Sequence, residues 1–339
     1  MTKIRLNIPG NTILISPLDW GLGHATRCIP IIASLIEQNK KVIVAAEGAG
    51  MNIIKEAFPN VTFLPLKGYR ITYSKKGHWF FIKLMAQLPK ILTSVIREKK
   101  WVQQAIRQHN IDTIISDNRL GFYSKEVHSV FITHQLGIKT GSSFLDKVVQ
   151  KINYFFINQF DECWIPDYKG NDNLAGELSH PTVMPKIPTV YIGLLSRFQK
   201  KEVSKRYKWA VVLSGPEPQR TIFENIITKQ IKNSKDAIVL VRGLPENSAV
   251  STINLGENIS VYNHLEKDLL SEIMQQSNVV IARSGYSTIM DLMAIAQRAV
   301  LVPTPGQTEQ EYLAKYLSEK KTFRTVSQSN FDFTMLPNE

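Results

Sequence analysis

Short apolar runs recur along the chain, separated by polar, glycine-bearing turns and by stretches whose apolar residues repeat at helical spacing. Residues 11–18, 41–46, 62–65, 113–116, 130–133 and 162–165 have the length and composition of buried strands, as do 209–213, 237–241, 259–262, 279–282 and 299–302. Ile31, Ile32, Leu35 and Ile36 mark the buried face of a helix after the first strand, and Ile289, Leu292, Met293 and Ala296 mark another over 286–296. Further helices are expected to begin near Thr221 and Glu309. Strands alternating with helices in this way predict parallel α/β sheets, whose ligands sit beyond the carboxyl ends of the strands.

At 339 residues the chain is long for one core and natural for two domains. Residues 162–165 read as the last strand of the first half. Proline density then rises at Pro181, Pro185 and Pro188, so 191–208 is the expected linker between domains at 1–190 and 209–339.

Composition narrows the class. Apolar content of 43% and charged content of 21% are those of an ordinary soluble globular protein. Two cysteines, Cys28 and Cys163, make neither a disulfide framework nor a metal cluster and favour a reducing compartment. No apolar run reaches membrane-spanning length. Asp19 and a glycine loop interrupt the first apolar segment, so it does not read as a signal peptide, and a cytoplasmic location is expected. There is no Asp-x-Asp triplet and no His/Cys/carboxylate cluster with ligand spacing, so neither a metal nor another cofactor is called for.

The net charge of +12 is uneven: residues 1–196 hold 23 Lys+Arg against 14 Asp+Glu, net +9, leaving +3 for the remainder. Between Lys67 and Arg107 ten basic residues face one acid, Glu98. In that segment Phe81, Leu84, Met85, Leu88, Ile91, Leu92 and Val95 repeat at helical spacing, with Trp79 and Trp101 flanking them and Pro89 expected to start or kink a helix. Two readings fit: a core helix with a solvated basic face, or an amphipathic helix on an anionic membrane surface. The second would place the protein at the inner face of the cytoplasmic membrane. Nucleic acid is disfavoured, since no aromatic–glycine RNA motif or zinc-finger spacing is present.

The turns after the strands carry the candidate chemistry. Gly21 and Gly23 shape the loop after the first strand, and the third glycine of a dinucleotide-binding fingerprint is missing. His24 follows at the start of a helix, where a neutral imidazole can accept a proton from a hydroxyl, although a capping or packing histidine would look the same. Ser214-Gly215 and Ser284-Gly285 each put a hydroxyl and backbone N–H groups before a helix, a ready anion site, and Arg220 can add charge to the first. Pro216 and Pro218 limit the N–H groups that the first of these turns offers. Asp291, on the helix after Ser284-Gly285, could accept from ribose hydroxyls. Asp117-Asn118 and His134-Gln135 end two strands of the first half, where α/β sheets display site residues.

The segment RSGYSTIMDL followed by PTPGQTEQEYLA resembles the donor-binding half of the glycosyltransferases of family 28. The resemblance implies a GT-B fold, two doubly wound Rossmann-like domains facing across a cleft. It implies that Ser284 and Gly285 face a nucleotide diphosphate, and that Asp291 (an aspartate where the family's best-known member has glutamate) holds the ribose. It further implies that Gln307, Glu309 and Gln310 read the sugar hydroxyls. Gly193 and Arg197 match a Gly-x-x-x-Arg whose arginine approaches the diphosphate, and His264 lies at the turn that holds uracil through backbone groups. Gly21-Leu22-Gly23-His24 is a variant of the family's Gly-Gly-His loop, and His134-Gln135 corresponds to a turn on the acceptor side.

The function so implied is inverting, metal-independent transfer of a hexose-type sugar (N-acetylglucosamine-like or similar) from a UDP-sugar co-substrate. The acceptor is a hydroxyl on a glycan, a lipid or a small molecule, lipid-linked or of the cell envelope in the family's manner. The alternatives are a UDP-sugar hydrolase or epimerase using the same residues, and a non-catalytic nucleotide-sugar-binding protein.

Overall fold

The computed structural model describes residues 6–19, 21–69, 88–244 and 251–336. The chain forms two compact units, Met1–Arg197 and Phe198–Glu339, each organised on one parallel sheet. The first contains β1 (Thr12–Pro17), β2 (Lys41–Ala46), β3 (Thr62–Pro65), β4 (Thr113–Asp117), β5 (His128–Ile132), β6 (Glu162–Ile165) and β7 (Thr189–Tyr191). Its described helices are α1 (Leu22–Glu37), α2 (Gly48–Ala57), α3 (Leu88–His109) and α4 (Ser143–Ile157). The second contains β8 (Tyr207–Val212), β9 (Ile238–Val241), β10 (Ile259–Tyr262), β11 (Ser277–Ala282), β12 (Ala299–Leu301) and β13 (Arg324–Thr325). Its described helices are α5 (Gln219–Ile231), α6 (Lys267–Gln276), α7 (Tyr286–Ala294) and α8 (Thr308–Glu319).

The strand orders are β3-β2-β1-β4-β5-β6-β7 and β10-β9-β8-β11-β12-β13. In each sheet the chain moves outward over three strands and then returns to build on the other side of the first. That reversal is the switch point at which doubly wound sheets leave a crevice beyond the strand ends. It falls between β1 and β4, where Pro17 lies opposite Asp117, and between β8 and β11, where Val212 lies opposite Ala282.

The central strands are buried along nearly their whole length because helices cover both faces of a parallel sheet. Trp209, Val211, Val279 and Ile281 share one face with Phe223, Ile227 and Ile231 of α5. Leu14, Ile43 and Ile114 pack with Val102, Ala105 and Ile106 of α3. Tyr154 and Ile157 of α4 pack with Phe131, Cys163 and Ile165. Both cysteines are free and buried.

Several expectations are corrected in detail. The strand over residues 162–165 is not the last of its sheet, because β7 adds beside it and pairs Trp164 with Val190. Its residues 189–191 straddle the expected domain edge at 190, and the first unit runs on to Arg197. Helices α2, α4 and α6 had no counterpart in the pattern reading. Of the basic segment, residues 70–87, including Trp79, Phe81, Leu84 and Met85, lie outside the described residues. Pro89 occupies the first turn of α3, where its missing N–H has no partner to lose.

The single acid of that segment is its anchor. Glu98 is buried, accepting from Arg119 Nε at 2.6 Å, Tyr69 Oη at 2.6 Å and Gly121 N at 3.2 Å. Arg119 also donates to the carbonyls of Pro17 at 3.2 Å and Lys67 at 2.8 Å. A Cβ at Gly121 would lie 2.4 Å from the Val95 carbonyl oxygen, so glycine is what lets the loop after β4 close onto α3. With Glu98 turned inward, the charges left on the surface of α3 are all basic: Lys90, Arg97, Lys99, Lys100 and Arg107 are exposed.

Candidate active site

At the switch point of the first unit, Gly21 takes φ +87°, a left-handed conformation that suits glycine, and α1 begins after it. His24, Arg27 and Cys28 stand at positions i, i+3 and i+4 of α1, one helix face, and that face meets Asp117 at the end of β4. His24 Nδ1 lies 3.1 Å from Asp117 Oδ2. Arg27 Nε donates to Asp117 Oδ2 at 2.8 Å and Arg27 Nη2 donates to Asp117 Oδ1. Arg27 Nη2 also stands 2.9 Å from His24 Nδ1, and its Nη1 3.3 Å from His134 Nδ1. The Cys28 thiol donates to Asp117 Oδ2 at 3.8 Å. Arg27 and Asp117 are buried, whereas the His24 side chain keeps 15% of its surface exposed.

The electrostatics follow from this packing. Burial pushes the Asp117 carboxyl up, but Arg27 and His24 beside it outweigh that and hold it at about 2. Burial, and then the Arg27 guanidinium, lower the pKa of His24 more than Asp117 raises it, so the imidazole is neutral near pH 7. Burial pushes the Cys28 thiol far up and keeps it protonated. Since Asp117 is already neutralised by Arg27, its carboxylate orients His24 without turning it into a cation. Nδ1 faces both the Asp117 carboxylate at 3.1 Å and the Arg27 guanidinium at 2.9 Å; in the tautomer that donates an Nδ1–H to Asp117, the Nε2 lone pair is the basic atom.

The expected acceptor-side residues are thereby sorted. Asp117 is a support for His24. His134 is buried behind Arg27, and Gln135 is held through its backbone, by Thr133 Oγ1 at 3.0 Å and Asn153 Nδ2 at 3.2 Å. Asn118 takes φ +58° as the chain turns away from β4, and Gly23 offers its carbonyl to Thr26 Oγ1 at 3.0 Å. Arg27 and Cys28 were missed by sequence reasoning, although the His24–Arg27 spacing of three on a helix was a usable signal.

In the second unit the turns after β8 and β11 flank the other switch point. Ser284 is buried and its hydroxyl donates to the Gln310 carbonyl at 2.8 Å, tying the turn to α8, so the anion contacts left to this turn are backbone N–H groups. Helix α7 starts with no side-chain cap and no acidic residue in its first turn, and the Cβ direction of Gly285 opens on empty space. Asp291 lies half-buried on α7. Gln310 is committed internally, its Oε1 accepting from Thr304 N at 2.9 Å and its Nε2 donating to Gln307 Oε1 at 2.5 Å. Gln307 stands at the N-cap position of α8 without a side-chain capping hydrogen bond, and Glu309 stands in the first turn.

The turn after β8 is built differently. Ser214 is exposed and Gly215 takes φ +102°, a conformation open to glycine. Glu217 then occupies the start of α5, accepting from Thr221 N at 3.2 Å and Arg220 Nε at 2.6 Å. Arg220 also donates to Glu224 at 2.5 Å, the Arg242 carbonyl at 3.2 Å and Thr221 Oγ1 at 2.7 Å. Its guanidinium is thus hydrogen-bonded within the unit, where the sequence reading had it add charge to the turn. His264 follows β10, and its buried Nδ1 has no hydrogen-bond partner among the described residues. Arg197 is the last residue of the first unit.

Known proteins resemble this chain in sequence and in fold. Residues 211–339 match the glycosyltransferase family 28 C-terminal domain. A UDP-N-acetylglucosamine–N-acetylmuramyl-(pentapeptide) pyrophosphoryl-undecaprenol N-acetylglucosamine transferase of Sulfurihydrogenibium sp. (strain YO3AOP1) is 27% identical over 140 residues, 39% of this chain and 39% of that protein. The chain matches about 40% of the length of this transferase and of its Haemophilus influenzae (strain 86-028NP) counterpart. An uncharacterized glycosyltransferase of Methanosarcina acetivorans is 21% identical over 94% of this chain and 86% of its own. Among solved structures, the glycotransferase of kitacinnamycin superposes with a TM-score of 0.68 at 14% identity, covering 95% of this chain and 87% of its own. MurG of Acinetobacter baumannii gives 0.56 at 13% identity, with 95% and 87% covered. The fold is GT-B, and residues 211–339 are similar to the glycosyltransferase family 28 C-terminal domain.

Proposed function

We propose that this protein is an inverting glycosyltransferase that moves a hexose-type sugar from a UDP-sugar to a hydroxyl acceptor. The observation that carries the reading is the His24–Asp117–Arg27 cluster: a neutral imidazole, partly exposed, fixed through Nδ1 at the switch point of its sheet. In the proposed reaction His24 Nε2 takes the acceptor's hydroxyl proton as that oxygen bonds to the anomeric carbon. The bond from that carbon to the diphosphate oxygen breaks, and UDP leaves with the electron pair. The second unit is assigned the donor. Backbone N–H groups at the start of α7 would receive the diphosphate, Asp291 the ribose, and the α8 start at Gln307 and Glu309 the sugar. The proposal needs no metal.

A lipid-linked acceptor is supported by the surface of the first unit. On α4, Phe144 (72% exposed), Val148, Ile152 and Phe155 (66% exposed) form an apolar stripe with Lys147 and Lys151 beside it. Leu92 and Ile96 are exposed on α3 among its basic residues. Ile91 of α3 and Phe156 of α4 pack against the same small cluster, which places the two helices together. Apolar side chains ringed by lysine suit an anionic lipid surface.

The experiment is transfer with a panel of UDP-sugars and polyprenyl-linked or free sugar acceptors, each run with and without acceptor. Acceptor-dependent release of UDP supports the reading. Equal release without acceptor would make the protein a hydrolase, and conversion of the sugar without UDP release an epimerase.

A further inference from the structure

His24 and Asp117 follow the ends of two neighbouring strands, and Leu18 N donates to the Asp117 carbonyl at 3.0 Å just past the paired residues Pro17 and Asp117. A buried guanidinium ties the same two ends together. Arg119 donates from Nη1 to the Pro17 carbonyl at 3.2 Å and from Nη2 to the Lys67 carbonyl at 2.8 Å, while its Nε donates to Glu98 Oε1 at 2.6 Å. Its backbone is closed on Ser116, the residue before Asp117. Ser116 Oγ accepts from Arg119 N at 3.1 Å and donates to the Arg119 carbonyl at 2.7 Å. One residue thus grips the end of β1 from a backbone fixed beside Asp117.

The loop after β3 adds a second tie. Tyr69 N donates to Asp19 Oδ1 at 2.9 Å, and Gly68 N donates to Glu47 Oε1 at 2.8 Å. A Cβ at Gly68 would lie 2.1 Å from Asp19 Oδ2, so this loop presses directly on the chain between β1 and α1. Tyr69 Oη then donates back to Glu98 Oε2 at 2.6 Å and accepts from Leu120 N at 3.0 Å. Three acceptors in different directions suit the rigid fork of an arginine, which a lysine cannot reproduce.

We propose that Arg119 is a positioning residue for the transfer reaction: it clamps the end of β1 to the loops after β3 and β4 and so fixes where His24 stands against Asp117. The inference rests on His24 as the base in the function proposed above. Arg119 acts through the strand ends, and Tyr69 and Glu98 hold its fork in line. A base displaced by about 1 Å from its working position can cost on the order of 100-fold in rate, so a clamp this close to the base acts on turnover.

The test is steady-state transfer by Arg119→Lys, alone and combined with His24→Ala. The lysine keeps the charge opposite Glu98 and gives up the fork. The expected result is a loss in kcat of roughly 10- to 100-fold with the KM for UDP-sugar within about two-fold of the wild type. In the His24→Ala background the same substitution should cost less than about two-fold, because a residue that acts through His24 has nothing left to position. An unchanged kcat, a loss of equal size in both backgrounds, or a parallel rise in the donor KM would each make Arg119 a structural residue only and overturn the inference. Should the lysine variant not fold, Tyr69→Phe decides. A kcat loss of roughly ten-fold that vanishes in the His24→Ala background supports the inference, and any other result overturns it. A wild-type chain without transfer activity would instead overturn the proposed function, and this inference with it.

Discussion

The Nδ1 atom of His24 and the carboxylate of Asp117 are 3.1 Å apart although 93 residues separate them in the chain. Two parallel neighbours, β1 and β4, make this contact: α1 starts from the end of one and Asp117 ends the other. His24→Ala is expected to cut turnover by ~10²–10⁴-fold while UDP affinity holds, because a general base is lost and the donor half is untouched. Turnover near that of the wild type would remove His24 from the role. Asp117→Asn should lower kcat in the same direction, since an amide no longer selects the Nδ1–H tautomer.

Arg27 sets the pH dependence. His24 must be neutral to accept a proton, and burial together with Arg27 keeps its pKa below the ordinary 6.5. The acid limb of kcat/KM is therefore expected below pH 6.5. Arg27→Gln removes a lowering influence and leaves Asp117 free to stabilise the imidazolium, so the limb should move to higher pH. Steady-state rates across the pH range check this, and a limb that stays in place speaks against the coupling. Stability has its own signature: with Asp117 held at about 2, its ion pair contributes fully above the usual carboxylate value and is lost as pH falls toward 2.

Much of this architecture was legible in the chain. The runs of buried strands announced parallel sheets, and the turns at Gly21, Ser214 and Ser284 lie at the switch points, because turn chemistry is local. Helix α4 was not read from the pattern: its exposed side mixes Phe144, Val148, Ile152 and Phe155 with Lys147 and Lys151, so apolar residues do not mark its buried face alone.

Asp291→Ala is expected to weaken UDP binding by roughly 10- to 100-fold, the worth of a hydrogen bond to a charged group. Titration calorimetry with UDP reads this directly. An unchanged dissociation constant would sink the ribose assignment.

Glu98→Ala should destabilise the first unit by about 3–5 kcal/mol, since it leaves Arg119 buried without its counter-charge. Chemical denaturation measures the loss. A cost below about 1 kcal/mol would show that Arg119 relaxes to water and that the α3 anchor lies elsewhere.

Phe144→Ser with Phe155→Ser is expected to reduce co-sedimentation with vesicles rich in anionic lipid while leaving the melting temperature within a degree or so, because exposed side chains contribute little to folding. Unchanged vesicle binding would move any lipid contact away from α4.

The sequence by itself determined the α/β class, the division into two halves and the positions of the turns at the switch points. These follow from hydrophobic period and turn residues, which act over a few neighbours. Only the tertiary structure decided what each polar group is for. It turned Glu98 inward to hold Arg119, spent Arg220 on Glu217 and Glu224, and tied the Ser284 hydroxyl to Gln310. It also put Asp117 beneath His24 and turned Arg119 to the Pro17 and Lys67 carbonyls. A charged or hydroxyl side chain reads the same in sequence whether it is solvated, paired or poised, and only the strand order settles which residues from distant segments come close enough to claim it.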